Sequence, residues 1–215
     1  MHARSLCVTL AARSAPGTLA LLALAAALAG CAAAPEAPKP ARIEIQEAVG
    51  FVITEQAGVG SDVRADYEQA VRLLEQGRTD EGIALLEQTA AAAPELTAPQ
   101  IDLGIAWRRA GDLAKAEEHL KKALALNPGH PVAHNELGIV YRQLGHFAEA
   151  RQSYEAALAI YPGFHYARRN LAVLCDLYLA DFACALENYQ AYVAAAPGDE
   201  EAEMWLADIR SRMHP

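Results

Sequence analysis

Apolar and small residues return at a fixed interval of 34 positions from about Val63 onward. The stretch LGIAW at 103–107 returns as LGIVY at 137–141. Within each stretch the apolar residues are three or four positions apart, which is the spacing of one face of an α-helix. A repeat of this length indicates one supersecondary unit copied along the chain.

Each unit is predicted to be a pair of helices joined by a tight turn. Gly104 and Ala116 are small, which allows two helices to cross near the lower end of the usual separation of about 8 to 10 Å. Gly111-Asp112 and Asn127-Pro128 mark the points where helices end or reverse. Because a lone hairpin leaves one apolar side uncovered, about three or more must stack.

The register divides the chain into four hairpins and a final helix. The first hairpin lacks the Leu-Gly pair, and the last carries one extra residue before Ala185, so its turn must differ. Met204, Trp205 and Ile209 are predicted to seal the end of the stack. The predicted units are residues 63–96, 97–130, 131–164 and 165–198, followed by a capping helix within 199–215.

The two central units resemble the tetratricopeptide repeat, and the second of them continues the pattern with Ala150-x3-Tyr154, Ala157 and Pro162. The resemblance implies an all-α fold, a right-handed superhelical solenoid of about four helical hairpins plus a C-terminal capping helix. It also implies an inner groove, lined by the first helix of each repeat, that binds a protein or peptide.

Five positions of each first helix usually face that groove in the family. Carried over by register, they include an apolar floor and cationic walls, which suit a peptide with aliphatic side chains and carboxylates. The residues so implied are Ile101, Ile105, Arg108, Arg109, Val132, Asn135, Ile139, Arg142, Gln143, Tyr166, Arg169, Val173, Asp176 and Leu177.

Arginine is concentrated on the first helices of an otherwise acidic protein, at Arg108, Arg109, Arg142, Arg168 and Arg169. The cluster favours an anionic ligand, although any single arginine is better explained as solvated surface.

The clamp that chaperone-binding repeats use for carboxylates has lysine and asparagine where this chain has Ile101 and Ile105. Chaperone tails are therefore not expected ligands.

The N-terminus resembles the signal peptide of a bacterial lipoprotein. An uncharged run from Thr18 to Ala29 ends in the lipobox Leu28-Ala29-Gly30-Cys31, in which cleavage would fall before the cysteine. Residues 1–30 are then the signal peptide and Cys31 carries the lipid. The alternative is a single membrane-spanning helix, but such a helix needs about 20 apolar residues and this run is shorter. Ala32 in place of aspartate favours the periplasmic side of the outer membrane.

Residues 31–41 combine the lipidated cysteine with a linker rich in Pro and Ala, which favours extended backbone. Residues 42–62 alternate apolar and polar positions, as at Ile43 and Ile45. This segment is predicted to be a partly ordered extended arm, with an independent β unit as the alternative.

The charge balance excludes nucleic acid as the expected partner. The chain has 18 Lys and Arg against 27 Asp and Glu; loss of the two arginines in residues 1–30 changes its net charge from −9 to −11. A nucleic-acid binder would be basic.

Catalytic and cofactor signals are also lacking in the sequence. It has no phosphate-binding glycine loop and no recognisable nucleophile setting. His130 and His134 have a spacing that suits a metal but lack a third ligand. We therefore expect no cofactor and no metal.

Cys175 and Cys184 remain once the signal peptide and the lipidated cysteine are set aside. An envelope compartment permits a disulfide between them. The alternative is a small core thiol at Cys175, which stands where the repeat normally has a buried tyrosine.

These features together predict a non-enzymatic periplasmic adaptor that assembles an envelope complex, such as a pilus or secretion apparatus. The alternative is an envelope enzyme or an accessory subunit, such as a regulator of a cell-wall hydrolase, with its site in the arm 42–62.

Overall fold

A computed structural model describes residues 42–46, 50–54 and 60–213. The predicted signal peptide, Cys31 and the linker lie outside the described residues. None of the described helices is long and apolar enough to cross a membrane.

Two short strands precede the helical part of the chain. β1 (Arg42–Gln46) and β2 (Gly50–Thr54) pair in antiparallel register, with Ile43 opposite Ile53 and Ile45 opposite Phe51. The alternation of apolar and polar positions in this segment is therefore the two-residue period of a strand.

Residues 60–213 form nine helices joined by short turns. They are α1 (Ser61–Glu75), α2 (Thr79–Ala92), α3 (Thr97–Ala110), α4 (Leu113–Leu126), α5 (Pro131–Leu144), α6 (Phe147–Ile160), α7 (His165–Leu177), α8 (Phe182–Ala195) and α9 (Glu200–Met213). The tightest packing is within the pairs α1/α2, α3/α4, α5/α6 and α7/α8, and the second helix of each pair packs on the next first helix. The helical part is thus an all-α stack of hairpins.

Small residues lie at every point where the two helices of a hairpin cross. A Cβ atom added to Gly104 would lie 2.5 Å from Cγ of Leu120, and one added to Gly138 would lie 2.5 Å from Cε1 of Tyr154. A large side chain from the second helix therefore fills the space that glycine leaves on the first. The corresponding residues are Ala70, Gly104, Gly138 and Ala172 on the first helices and Gly82, Ala116, Ala150 and Ala185 on the second, and all are buried.

Glycine also ends the first helices of the two central hairpins. Gly111 has φ 89° and Gly145 has φ 79°, in the left-handed region that side chains disfavour. In these turns the next amide donates to a carbonyl five residues earlier, from Asp112 to Trp107 and from His146 to Tyr141.

The last hairpin closes differently, because of its extra residue. Here the amide of Asp181 donates to the carbonyl of Cys175, six residues earlier, and Ala180 takes a positive φ of 50°. A disulfide joins Cys175 to Cys184 across this turn, with the two Cα atoms 5.9 Å apart. The sequence left this pair open between a disulfide and free thiols, and the structure joins the two sulfurs.

The last described helix, α9, packs on α8 in the position that the first helix of a further hairpin would take. Ile209 is buried and Trp205 is partly buried, but Met204 is 64% exposed. The expectation that all three seal the stack is therefore wrong for Met204. Glu203, Ala207 and Arg210 are exposed, so charged groups lie beside the position that a second helix would cover.

The crossing at Gly138 supplies a test of the hairpin packing. Gly138→Ala should lower the free energy of unfolding by about 1 to 2 kcal/mol, although alanine is ordinarily the better helix former, because the buried ring of Tyr154 has no room to move. The measurement is urea denaturation followed by circular dichroism. Gly129→Ala is the matched control, since a Cβ there meets only an ordinary contact at 3.6 Å. Equal stability of the two variants would contradict the packing described here.

Candidate functional site

The residues predicted to face the groove lie on α3, α5 and α7, which contact one another in sequence order. Three of them are buried: Ile101 is 5% exposed, Asn135 is 3% exposed and Asp176 is 9% exposed. Their side chains belong to the packing between repeats, so they are not available to a ligand. Exposed residues of the predicted set include Arg109, Gln143 and Tyr166, while Ile105, Ile139 and Val173 are partly buried.

Polar contacts at a spacing of one repeat plus one residue join α1 to α3 and α5 to α7. The hydroxyl of Tyr67 donates to Oδ2 of Asp102 at 2.6 Å. Nδ2 of Asn170 donates to Oδ1 of Asn135 at 2.9 Å. These are the inter-repeat contacts of the inner face, and they fix neighbouring first helices side by side.

One repeat position, one residue after the equivalent of Tyr67, was not among the residues predicted to face the groove. It holds Asp102, Glu136 and Asn170, which are 34 residues apart and all carry an oxygen acceptor. That regular recurrence was the available signal. Burial raises the pKa of Asp102 above its ordinary value, although the hydrogen bond from Tyr67 and the charge of Arg109 act in the other direction.

Arg108 is engaged by the protein itself. Its Nη2 lies 3.1 Å from Oε2 of Glu136, and the two side chains are only 18% and 13% exposed. Burial raises the pKa of Glu136 even though Arg108 opposes the shift. Arg108 is therefore part of the inter-repeat packing, and the expectation that it binds a ligand carboxylate is weakened.

Arg142, one repeat later, has aromatic neighbours instead. Its guanidinium lies 5.7 Å from the ring centre of Tyr178, whose hydroxyl is 3.5 Å from Nη1. Its Nε is buried and has no acceptor in the described part of the chain. Beside it, burial raises the pKa of Tyr154 to about 12, so that phenol is neutral.

Arg169 and Arg168 are neighbours in sequence but face opposite ways. Arg169 lies 3.6 Å from Glu201 and over the ring of Trp205 at 5.0 Å, so it joins α7 to α9 on the inner face. Nη1 of Arg168 donates instead to Oδ1 of Asn188 on α8, at 3.2 Å. The arginine cluster read from the sequence is therefore divided, and Arg168 lies outside the groove.

Exposed apolar side chains mark the C-terminal half of the inner face. Tyr166 is 57% exposed and Leu177 is 68% exposed, and both lie on the same stripe of α7 as Val173. Met204 follows Arg169 by 35 residues, which is the repeat interval plus the extra residue, so it continues the stripe on α9. We call Tyr166, Leu177 and Met204 the apolar patch. Exposed large apolar side chains on one stripe of a helix are typical of interaction surfaces.

The other candidate residues have structural roles. Nδ1 of His130 accepts from the amide of Ala133 at 3.3 Å, and Nε2 of His134 lies 2.9 Å from the carbonyl of Pro128. Both histidines therefore stabilise the turn before α5. No metal site is predicted from them.

The tetratricopeptide repeat family matches residues 67–131, 101–165 and 135–177, which together are more than half of the chain. No curated protein matches the sequence significantly.

Several solved structures share the fold. MamA 41-end from Desulfovibrio magneticus RS-1 is similar with 23% identity and a TM-score of 0.63, over 72% of this chain and 86% of that one. Pseudomonas aeruginosa pilF is similar with 19% identity and a TM-score of 0.65, over 70% and 68%. The first repeat domain of Spaghetti (RPAP3), bound to the HSP90 peptide SRMEEVD, is similar with 26% identity and a TM-score of 0.54, over 57% and 97%.

The buried carboxyl of Asp102 makes the inter-repeat contacts sensitive to pH. Its folded-state pKa is raised, so the folded protein binds the proton more tightly than the unfolded chain, and stability falls as the pH rises through that window. Asp102→Asn keeps an oxygen that accepts from Tyr67 and removes the charge. We expect the stability of the variant relative to the wild type to rise with pH from about pH 4, the ordinary pKa of an aspartate, until the carboxyl of the folded wild type is fully ionised.

Urea denaturation across that pH range provides the measurement. Glu95→Gln, at an exposed carboxyl in the turn before α3, is the control and should leave the pH dependence unchanged. A stability difference between Asp102→Asn and the wild type that does not vary with pH would contradict the assignment.

Proposed function

The chain belongs to the tetratricopeptide repeat family, and from this premise we propose that it is a non-enzymatic scaffold that captures a protein or peptide on its inner face. Proteins built from such repeats present extended concave surfaces to their partners. The partner-binding surface proposed here is the C-terminal half of that face, from α5 to α9.

The apolar patch is the observation that carries this proposal. Tyr166, Leu177 and Met204 expose apolar surface to water, and a partner that covered them would gain the free energy of its removal. Arg142 lies near this stripe without an ion-pair partner among its described contacts. A peptide with apolar side chains and a carboxylate would match both features.

The N-terminal half of the face is less suited to a ligand. There, Tyr67 is hydrogen-bonded to Asp102, and Arg108 forms an ion pair with Glu136. The RPAP3 domain, whose structure contains an HSP90 peptide, supports peptide capture as a general mode. Because Ile101 is buried, the carboxylate clamp of chaperone-binding repeats has no counterpart at that position.

We place the scaffold at the periplasmic side of the outer membrane, anchored through a lipid on Cys31. The lipobox and the uncharged run before it support this location. The disulfide between Cys175 and Cys184 supports it independently, since such bonds persist in oxidising compartments. In that place the scaffold would serve the assembly of an envelope complex, for example a pilus or a secretion apparatus.

The apolar patch provides the test of partner capture. A photo-crosslinking residue at the exposed position of Gln143 should capture an envelope protein in living cells, and the combined change Leu177→Glu and Met204→Glu should reduce that adduct at least about tenfold. Both side chains are mostly exposed, so helicity measured by circular dichroism should not change. The matched control is Ala148→Glu, an exposed apolar residue of the second helix α6.

Two outcomes would contradict this proposal. One is an adduct from Gln143 that persists in the double variant. The other is equal loss of the adduct in the Ala148→Glu control.

The anchor has a separate test. Cys31→Ser should abolish incorporation of labelled fatty acid and release the protein from membranes, because the thioether has no other attachment point in the lipobox. Cys7→Ser, within the predicted signal peptide, is the matched control and should change neither result. Fatty-acid labelling that survives Cys31→Ser would show that the anchor has been placed wrongly.

A further inference from the structure

A cavity lies away from the groove, on the outer side of the last two hairpins. It has a volume of about 430 Å³, within the range of small-ligand pockets. Arg168 and Leu171 reach it from the face of α7 opposite to Tyr166 and Leu177. Its lining includes Arg151, Glu155, Leu158, Arg168, Cys184 and Asn188.

The two cysteines of the disulfide differ in exposure, and only one of them lines this cavity. Cys184 lines it and is partly exposed, whereas Cys175 is 0% exposed in the core. Exchange between a thiol and a disulfide begins when a thiolate reaches one of the two sulfur atoms. The cavity therefore leads an incoming thiolate to Cys184.

The surroundings of Cys184 also suit a sulfur that carries negative charge. The residue lies in the first turn of α8, where the helix dipole favours an anion. Nδ2 of Asn188 lies 3.7 Å from its Sγ and donates to its carbonyl at 2.9 Å. The Asp181 carboxylate lies within 4.8 Å of both sulfurs and accepts from the amide of Cys184 at 3.2 Å, and Nη1 of Arg151 lies 3.0 Å from it.

The charges of the cavity indicate what kind of thiol it accepts. Arg151 is paired with Glu155 at 2.8 Å and with Asp181 at 3.0 Å, so Arg168 and Glu187 are the lining charges without an ion pair among the described contacts, and Leu158 adds apolar surface. A cysteine-containing peptide has carboxylate, ammonium and apolar groups that match this mixture. A simple uncharged thiol would match none of the charges.

We propose that Cys184 is the exchange sulfur of a thiol–disulfide site and that a peptide thiol is its reactant. The thiolate of the peptide bonds to Sγ of Cys184, and the bond between Cys175 and Cys184 breaks. Its electron pair leaves on Sγ of Cys175, which then takes a proton. If the reactant is a dithiol, its second thiolate displaces Cys184 in turn, so that the dithiol is oxidised and this disulfide is reduced. The site is independent of the proposed groove.

The test compares the two cysteines one at a time in the full-length chain carrying Cys7→Ser and Cys31→Ser. Cys175→Ser leaves only Cys184, and Cys184→Ser leaves only Cys175. With glutathione disulfide as the probe, the rate of mixed-disulfide formation, followed by mass spectrometry, should be at least about tenfold higher at Cys184. The same two variants in urea should react at similar rates. Equal native rates, a faster Cys175, or a difference that persists in urea would overturn the proposal.

Selection of a charged peptide by the cavity is tested separately, in the Cys175→Ser chain. Arg168→Gln should slow the reaction with glutathione disulfide several-fold and leave the reaction with the uncharged bis(2-hydroxyethyl) disulfide unchanged. Arg210→Gln, at an exposed arginine of α9, is the matched control and should affect neither probe. Equal slowing with both probes, or no slowing with either, would show that the cavity does not select a charged peptide.

A second experiment uses the chain with its disulfide intact, in case either single-cysteine chain unfolds. The chain that retains both Cys175 and Cys184 is treated with reduced glutathione, quenched in acid and mapped by mass spectrometry. Glutathione should be found on Cys184. Its presence on Cys175, or equally on both, would overturn the proposal.

Discussion

Close approach of two helices at a small residue is the constraint on which the rest of this structure depends. Gly104 and Gly138 leave room for Leu120 and Tyr154, and any Cβ there would overlap them. The crossing fixes which side of each first helix is buried in its own hairpin. It thereby fixes which side is left for the neighbouring repeat and for a partner.

The inner face is built on a second regularity, the contact between one first helix and the next. Tyr67 reaches Asp102 and Asn135 reaches Asn170, at one repeat plus one residue. In these pairs, each polar side chain has its hydrogen-bond partner in the neighbouring helix, so fewer donors and acceptors remain for a ligand. At the C-terminal end Arg169 meets Trp205 instead, and apolar side chains remain exposed beside it. The two halves of one face thus differ in what they offer.

The extra residue of the last hairpin gives that end of the molecule its distinct chemistry. It replaces a glycine turn by one in which Asp181 donates to Cys175, and a disulfide closes the same turn. Asp176 follows Cys175 directly and accepts from Arg212 of α9 at 2.5 Å. The turn, the disulfide and the end of the stack are therefore linked through Cys175 and Asp176.

The sequence by itself determined the repeat, the hairpins and the face of each first helix that packs inside its own hairpin. The repeat period and the size of each residue can be read directly from the positions of glycine and alanine. The sequence also located the irregular turn, since one residue too many is visible by counting. Only the tertiary structure decided which of the predicted groove residues face solvent. Ile101 and Asn135 are buried, Arg108 is paired with Glu136, and Arg168 points to α8, because each depends on partners about 20 to 35 residues away. Helical periodicity assigns a residue to a face, but the neighbouring repeat determines whether that face is covered.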